Sequence, residues 1–248
     1  MRKKSLVFAA VGVLALAFAA VAIASAAFKQ TANIKYSTNK GKRPAGTIAD
    51  LEASDPGASP PGNLTGATKV VIRFKGAKID TKAGKHCKLP KPQAASCPAK
   101  TRIDLPGSGS ATANLVGRNP ATGQATVAQN IFGGFNVTAY LAKRAVYFVV
   151  TSKTPGGPTT ILKSSLRGDK LTTNVAKDTE GSVPPPSKIV LTSFKIKIKK
   201  VKSGRGRKKR YLVRTPKCGR SRHFVIISKF NYDDGTTRTV TSKQRCRK

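Results

Sequence analysis

The chain has 248 residues, with 47 Lys or Arg against only 10 Asp or Glu, a formal charge of +37, four Cys, two His and no Trp. That length holds one large or two small globular domains. So few acids argue against a multi-carboxylate metal cage or a crowded acid/base centre.

Residues 1–26 read as a signal peptide. Arg2, Lys3 and Lys4 form a positive start, Leu6 to Ile23 carries no charge, and Ala24-Ser25-Ala26 offers small residues for cleavage near Ala26. The expected destination is secreted or cell-surface. An uncleaved anchor is the competing reading, because the apolar run approaches a bilayer span. In that case membrane contact comes through this segment alone.

Residues 27–66 read as an irregular lead-in, broken by Gly41, Gly46, Pro56, Gly57, Pro60, Pro61 and Gly62, with one short strand possible at Ala32 to Tyr36. Residues 67–180 read as a β-sandwich domain. Val70, Ile72 and Phe74 alternate with Val71, Arg73 and Lys75, the period of a strand. Ser110 to Val116 follows, then a turn at Asn119 to Gly123. Phe135, Val137, Ala139 and Leu141 alternate and turn through Ala142-Lys143-Arg144 into Val146 to Val150, a hairpin. Thr154 to Pro158 ends it, and short β runs at Ile161–Leu166 and Leu171–Val175 complete the domain.

Residues 181–187, with Pro184, Pro185 and Pro186, read as a Pro-rich linker. Residues 188–248 read as a basic C-terminal β region. Val190, Thr192, Phe194, Ile196 and Ile198 share one face of its first strand, and Lys195, Lys197 and Lys199 the other. Tyr211 to Val213 is the second strand. The third, Phe224 to Ile227, joins the fourth, Thr237 to Thr241, through Asp233-Asp234-Gly235-Thr236. With a two-residue Asp-Gly turn, paired residues sum to about 469, which sets Cys246 beside His223.

No helical stripe occurs outside the signal. The expected class is all-β: an antiparallel sandwich, Ig-like or jelly-roll-like, with an N-terminal signal helix and a C-terminal disulfide-stapled hairpin. Two arrangements stay open, a single larger sandwich or a sandwich followed by a small stapled module.

Four cysteines in an exported chain predict two disulfides. The local pairing Cys87–Cys97 and Cys218–Cys246 is favoured. By chain entropy these loops contribute about 3 and about 3.5 kcal/mol. His86 and His223 lie near cysteines, but neither Cys pair has the tight spacing of a zinc site. No metal and no cofactor are expected.

Gly107-Ser108-Gly109-Ser110 lacks the Gly-Lys-Ser/Thr ending of a phosphate loop and runs into a strand. No G-x-S-x-G elbow presents a serine nucleophile. Asp80, Asp104 and Asp169 could converge for glycoside cleavage, though nothing in their context singles them out. No catalytic residue and no small-molecule substrate are inferred, with an unrecognised hydrolase as the remote alternative.

Charge is the feature that stands out. Between Gly181 and Tyr232 there are 16 Lys or Arg and no acid. Lys195, Lys197, Lys199, Lys200, Arg205, Arg207, Lys208, Lys209 and Arg210 form the candidate anion-binding set. A polyanion laid over them releases counterions from many sites, which gives salt-sensitive, sequence-independent affinity. Export favours a wall polymer or acidic polysaccharide. Extracellular DNA is a further option through phosphate contacts, since no aromatics interleave with the basic run. The alternative is a structural envelope component whose lysine comb is only solvated. Charges about 6.7 Å apart along a strand repel by about 0.6 kcal/mol in water, and lysines also protect edge strands.

Tyr211-Leu212-Val213-Arg214-Thr215-Pro216-Lys217-Cys218-Gly219, then Phe230-Asn231-Tyr232-Asp233-Asp234-Gly235-Thr236 and Cys246, resembles the ending of uncharacterised exported bacterial β-rich proteins. In them a Thr-Pro-Lys-Cys turn precedes a Tyr-x-Asp-Gly hairpin and a final Cys. Cys87, then Cys97-Pro98-Ala99-Lys100 and Gly107 to Ala111, resembles the same group. The resemblance implies export and disulfides and brings no activity.

Overall fold

Runs that alternate apolar and polar residues recur along most of the chain, and almost every one is a strand of a single sheet. The computed structural model describes residues 28–54, 65–88, 97–179 and 187–247. The expected signal, 1–26, and the expected linker apart from Ser187 lie outside the described residues.

Twelve strands form the main sheet: β1 (Lys29–Tyr36), β2 (Thr47–Ser54), β3 (Ala67–Phe74), β4 (Ser110–Arg118), β5 (Ala125–Ala128), β6 (Phe135–Ala142), β7 (Ala145–Ser152), β8 (Thr159–Arg167), β9 (Lys170–Asn174), β10 (Lys188–Ile198), β11 (His223–Tyr232) and β12 (Thr237–Arg245). Helix among the described residues is limited to α1 (Val175–Thr179) and single 3₁₀ turns. Their spatial order is β1-β2-β10-β4-β6-β7-β8-β9-β3-β11-β12, with β5 paired to β4 off this path. Every pair of neighbours on the path is antiparallel.

The all-β, antiparallel expectation holds, but the layers differ from a sandwich. One sheet rolls round until its two edges meet. The reason lies in two insertions: β10 enters between β2 and β4, and β3 sits between β9 and β11. Those strands join what would otherwise be separate layers. The C-terminal region is therefore woven into the same sheet.

The irregular lead-in is likewise replaced by β1 and β2, which pair over their whole length from Lys29↔Ser54 to Tyr36↔Thr47. Its glycines and prolines cluster in 37–46 and beyond Ser54, leaving two eight-residue runs intact. On β2 the cavity-lining residues include Thr47, Ala49, Leu51 and Ala53, too small on average to signal a strand by hydrophobicity.

Closure obeys a parity rule. An antiparallel path of eleven strands begins and ends with strands running the same way, so β1 and β12 must meet in parallel. They meet through side chains. Ser242 Oγ accepts from Ile34 N at 3.1 Å and donates to Ala32 O at 2.6 Å. Gln244 Oε1 accepts from Tyr36 N at 2.7 Å, while its Nε2 donates to Tyr36 O at 3.1 Å. Beyond them Arg247 N donates to Asn39 O at 2.7 Å, and Lys40 and Arg247 form a parallel bridge. A serine and a glutamine thus replace the missing ladder, and the edge that would invite aggregation is covered.

Both disulfides form as paired by the sequence, Cys87–Cys97 and Cys218–Cys246. The final hairpin pairs His223 with Arg245 and Ser228 with Val240, one residue short of the expected register. Tyr232 N donates to Thr236 O across Asp233, Asp234 and Gly235, with Gly235 at φ +80°. This is a three-residue loop with a left-handed glycine, not a two-residue turn.

The seam gives the first prediction. Gln244→Leu leaves the Tyr36 amide without its partner and should lower stability by about 1–3 kcal/mol. A drop in the urea midpoint, with faster hydrogen exchange at Tyr36, is the expected result.

Candidate functional site at the basic end

Strand registers fix which connections share an end. Tyr36↔Thr47, Thr47↔Ile198, Ala142↔Ala145, Arg167↔Lys170 and Lys170↔Arg73 lie at one end of the rolled sheet, with Phe74 and Ile226 beside them. The described residues of the connections at this end are 37–46, 75–88, 97–109, 143–144, 168–169 and 199–222. Their sequences hold 24 Lys or Arg and three acids. The described residues at the opposite end, 65–66, 119–134, 153–158, 175–179, 187 and 233–236, hold two Lys or Arg and three acids.

A small sheet closes the basic end. Val213–Arg214 pairs with Pro44–Ala45 on one side and Lys78–Ile79 on the other. Lys202–Ser203 pairs with Arg210–Tyr211, so Gly204 to Lys209 forms a hairpin tip. Gly204 is at φ +75°, and a β-carbon there would lie 2.4 Å from Lys208 O, so the tip needs glycine. The tip is exposed throughout, with a 3₁₀ turn at Gly206–Lys208.

The nine anticipated anion-binding residues separate into three groups. Lys195 and Lys197 point out from the wall on β10, and Lys195 is neutralised by β2: its Nζ is 2.8 Å from Glu52 and 3.5 Å from Asp50. The hydrogen bond to Glu52 and the charge of Asp50 hold that ammonium above the ordinary lysine range. Arg210 reaches Asp80 at 3.7 Å. Lys199, Lys200, Arg205, Arg207, Lys208 and Lys209 are exposed at the closed end, where each of its three acids already has an arginine. Because β10 lies inside the sheet, its lysines do not serve as edge protection.

Other members of the cluster were hidden by distance along the chain. Lys40, Lys42, Arg43, Lys78, Lys82, Lys85, Lys143 and Arg144 all belong to connections at the same end. The available signal was alternation: apart from β5, successive strands run in opposite directions, so every second connection shares an end.

An ion pair with a buried carboxylate supports the stem of the basic loop. Where β4 parts from β6 after Ser110↔Asn136 and Ala111↔Phe135, residues 102–105 fill the gap. Ile103 N donates to Ala139 O, Lys199 N to Ile103 O and Leu105 N to Lys197 O, each at 2.8 Å. Asp104 is fully buried, accepts from Ala139 N at 3.0 Å, and is gripped by Arg102 Nε and Nη2 at 3.0 and 2.8 Å. The hydrogen bond to Asp104 holds Arg102 above its usual range.

Asp80, Asp104 and Asp169 sit in separate ion pairs with Arg210, Arg102 and Arg73. His86 Nε2 lies 2.8 Å from Thr81 O, and His223 Nδ1 lies 2.5 Å from Ser221 O. Among the described residues no group of three His, Cys, Asp or Glu is placed to hold a metal. No family model matches the chain, and no curated protein or solved structure matches it either.

Arg102→Ala should strand a buried carboxylate and cost on the order of 3 kcal/mol. Chemical denaturation reads the loss, and amide exchange at Lys199 and Leu105 should rise with it.

Proposed function

We propose that the protein is an exported, non-catalytic binding barrel that docks on an anionic polymer with its basic end. The observation that carries this reading is the separation of charge: among the described residues, 24 cations and three acids in the connections at one end, two cations and three acids at the other. A merely soluble surface has no need to sort its charge by end.

A polymer crossing this end would meet the tip 204–209 and the flanking lysines of 37–46 and 75–88 together. Each phosphate or carboxylate it pairs displaces a counterion, so binding weakens steeply with salt. The charged run at the N-terminus and the stapled cysteines favour a wall polymer or acidic polysaccharide over intracellular nucleic acid. Tyr211, the aromatic nearest the tip, is covered by Arg214, whose guanidinium lies 4.9 Å from the ring centroid. With that ring engaged and no aromatic in 199–210, contact of the tip with extracellular DNA would run through phosphates.

The test compares two variants of equal net charge. One reverses Arg205, Arg207, Lys208 and Lys209 to Glu at the tip. The other reverses Lys35, Lys69, Lys229 and Lys243, all exposed on the wall. On immobilised wall polymer the tip variant should elute at less than half the wild-type salt concentration, with the wall variant close to wild type. Equal losses would assign the affinity to net charge alone and favour a structural envelope component.

A further inference from the structure

Apart from its basic end, the rolled sheet encloses an apolar cavity of about 150 Å³ that runs along its axis. Its floor is Leu212 and Val213 of the closing sheet, and its walls include Leu51, Ile72, Phe148 and Ile196. Its far end is rimmed by Gln30, Thr65, Thr173, Thr192, Ser193 and Tyr232. A path of eleven strands explains the space. Eight strands leave an interior that side chains just fill, and wider sheets leave room for a guest.

We infer that this cavity binds one aliphatic chain with an uncharged polar head, such as an alcohol, ester or amide, tail toward Leu212 and head at the rim.

Three observations support the assignment. First, the interior is not packed to the density usual for protein cores: Leu51, Leu171 and Phe194 line the cavity yet stay half-buried. Second, Ala49 faces the space between Ile34 and Ile196, its partners on β1 and β10, where a larger aliphatic residue would fill it. An apolar void of this volume has room for an apolar guest of about six carbons. Third, the rim sets the head group. Its polar groups are neutral and already bonded locally, Tyr232 to Gln30 at 2.7 Å, Thr173 to Ser164 at 2.6 Å, and Thr192 and Ser193 to Thr112 at 2.8 and 2.7 Å, so a head group would share these bonds. The one charged residue among the lining is Glu52, already 2.8 Å from Lys195 Nζ. Among the described residues that line the cavity there is no lysine or arginine to hold an anionic head. The reading is independent of polymer binding, since it uses the opposite end.

The experiment titrates 1-octanol and octanoate into the full exported chain, followed by methyl NMR and calorimetry. Octanol should bind saturably at one site and shift the methyls of Ile34, Leu51, Ile72 and Ile196. Octanoate should bind at least tenfold more weakly. Ala49→Leu should reduce octanol affinity at least tenfold while leaving the melting temperature equal or higher, because it fills the void. Ala67→Leu, nearer the rim, makes the same test if the first variant does not fold. The tip variant with four reversed charges should bind octanol as wild type does. Shifts confined to outer-face residues, equal affinity in the filled variants, or octanoate binding as tightly as octanol would each overturn the assignment.

Discussion

The fold depends on how an odd-numbered antiparallel sheet closes. Eleven strands on the path leave β1 and β12 parallel, and a parallel pair cannot continue the hydrogen-bonding pattern of its neighbours. Ser242 and Gln244 resolve this by presenting hydroxyl and amide groups to the β1 backbone. Their side chains act as surrogate peptide groups. With the seam closed, Ile34 and Tyr36 are buried, and Tyr36 packs edge-on against Phe224 with ring centroids 5.3 Å apart. Without it, the sheet would present two bare edges and a wet interior.

Concentrating cations at one end carries a cost, because like charges that converge there repel. The covalent staples stand in the two most basic connections. Cys87–Cys97 lies within the connection 75–109, and Cys218 in 199–222 is tied to Cys246 at the end of β12. These two connections carry most of the basic residues at that end. The arginine pairs to Asp80 and Asp104 lie in the same connections and add local neutralisation. Charge, staples and paired carboxylates form one arrangement: a basic platform held in shape against its own field.

How much of this is legible in the chain depends on scale. Strands with large alternating residues, such as Val70-Ile72-Phe74 and Phe135-Val137-Ala139-Leu141, declare themselves because period two puts bulky groups on one face. β2 does not, since Ala49 and Ala53 give little contrast against Asp50 and Glu52. The hairpin at Gly235 is readable but its register is not, because a left-handed glycine can close either a two- or a three-residue loop. Disulfide partners follow from proximity along the chain. The rolled closure does not, as it rests on contacts between residues 208 apart such as Ile34 and Ser242. Of the basic set, the run Lys195 to Arg210 is visible as composition. Neutralisation of Lys195 by Asp50 and Glu52 is not, since it needs β2 beside β10.

The position of β10 also orders the assembly of the molecule in time. β1 and β2 pair with each other as soon as both exist, but their only route into the sheet on the β2 side is through β10, which lies more than half a chain later. β1 waits longer still, for β12 at the very end. The N-terminal hairpin therefore has no partner in the sheet until β10 follows it, and its outer edge stays open until β12 is in place. Such non-local closure makes folding slow, and it makes the completed cylinder all-or-none: a chain cut short before Ser242 has a beginning with nothing to dock against.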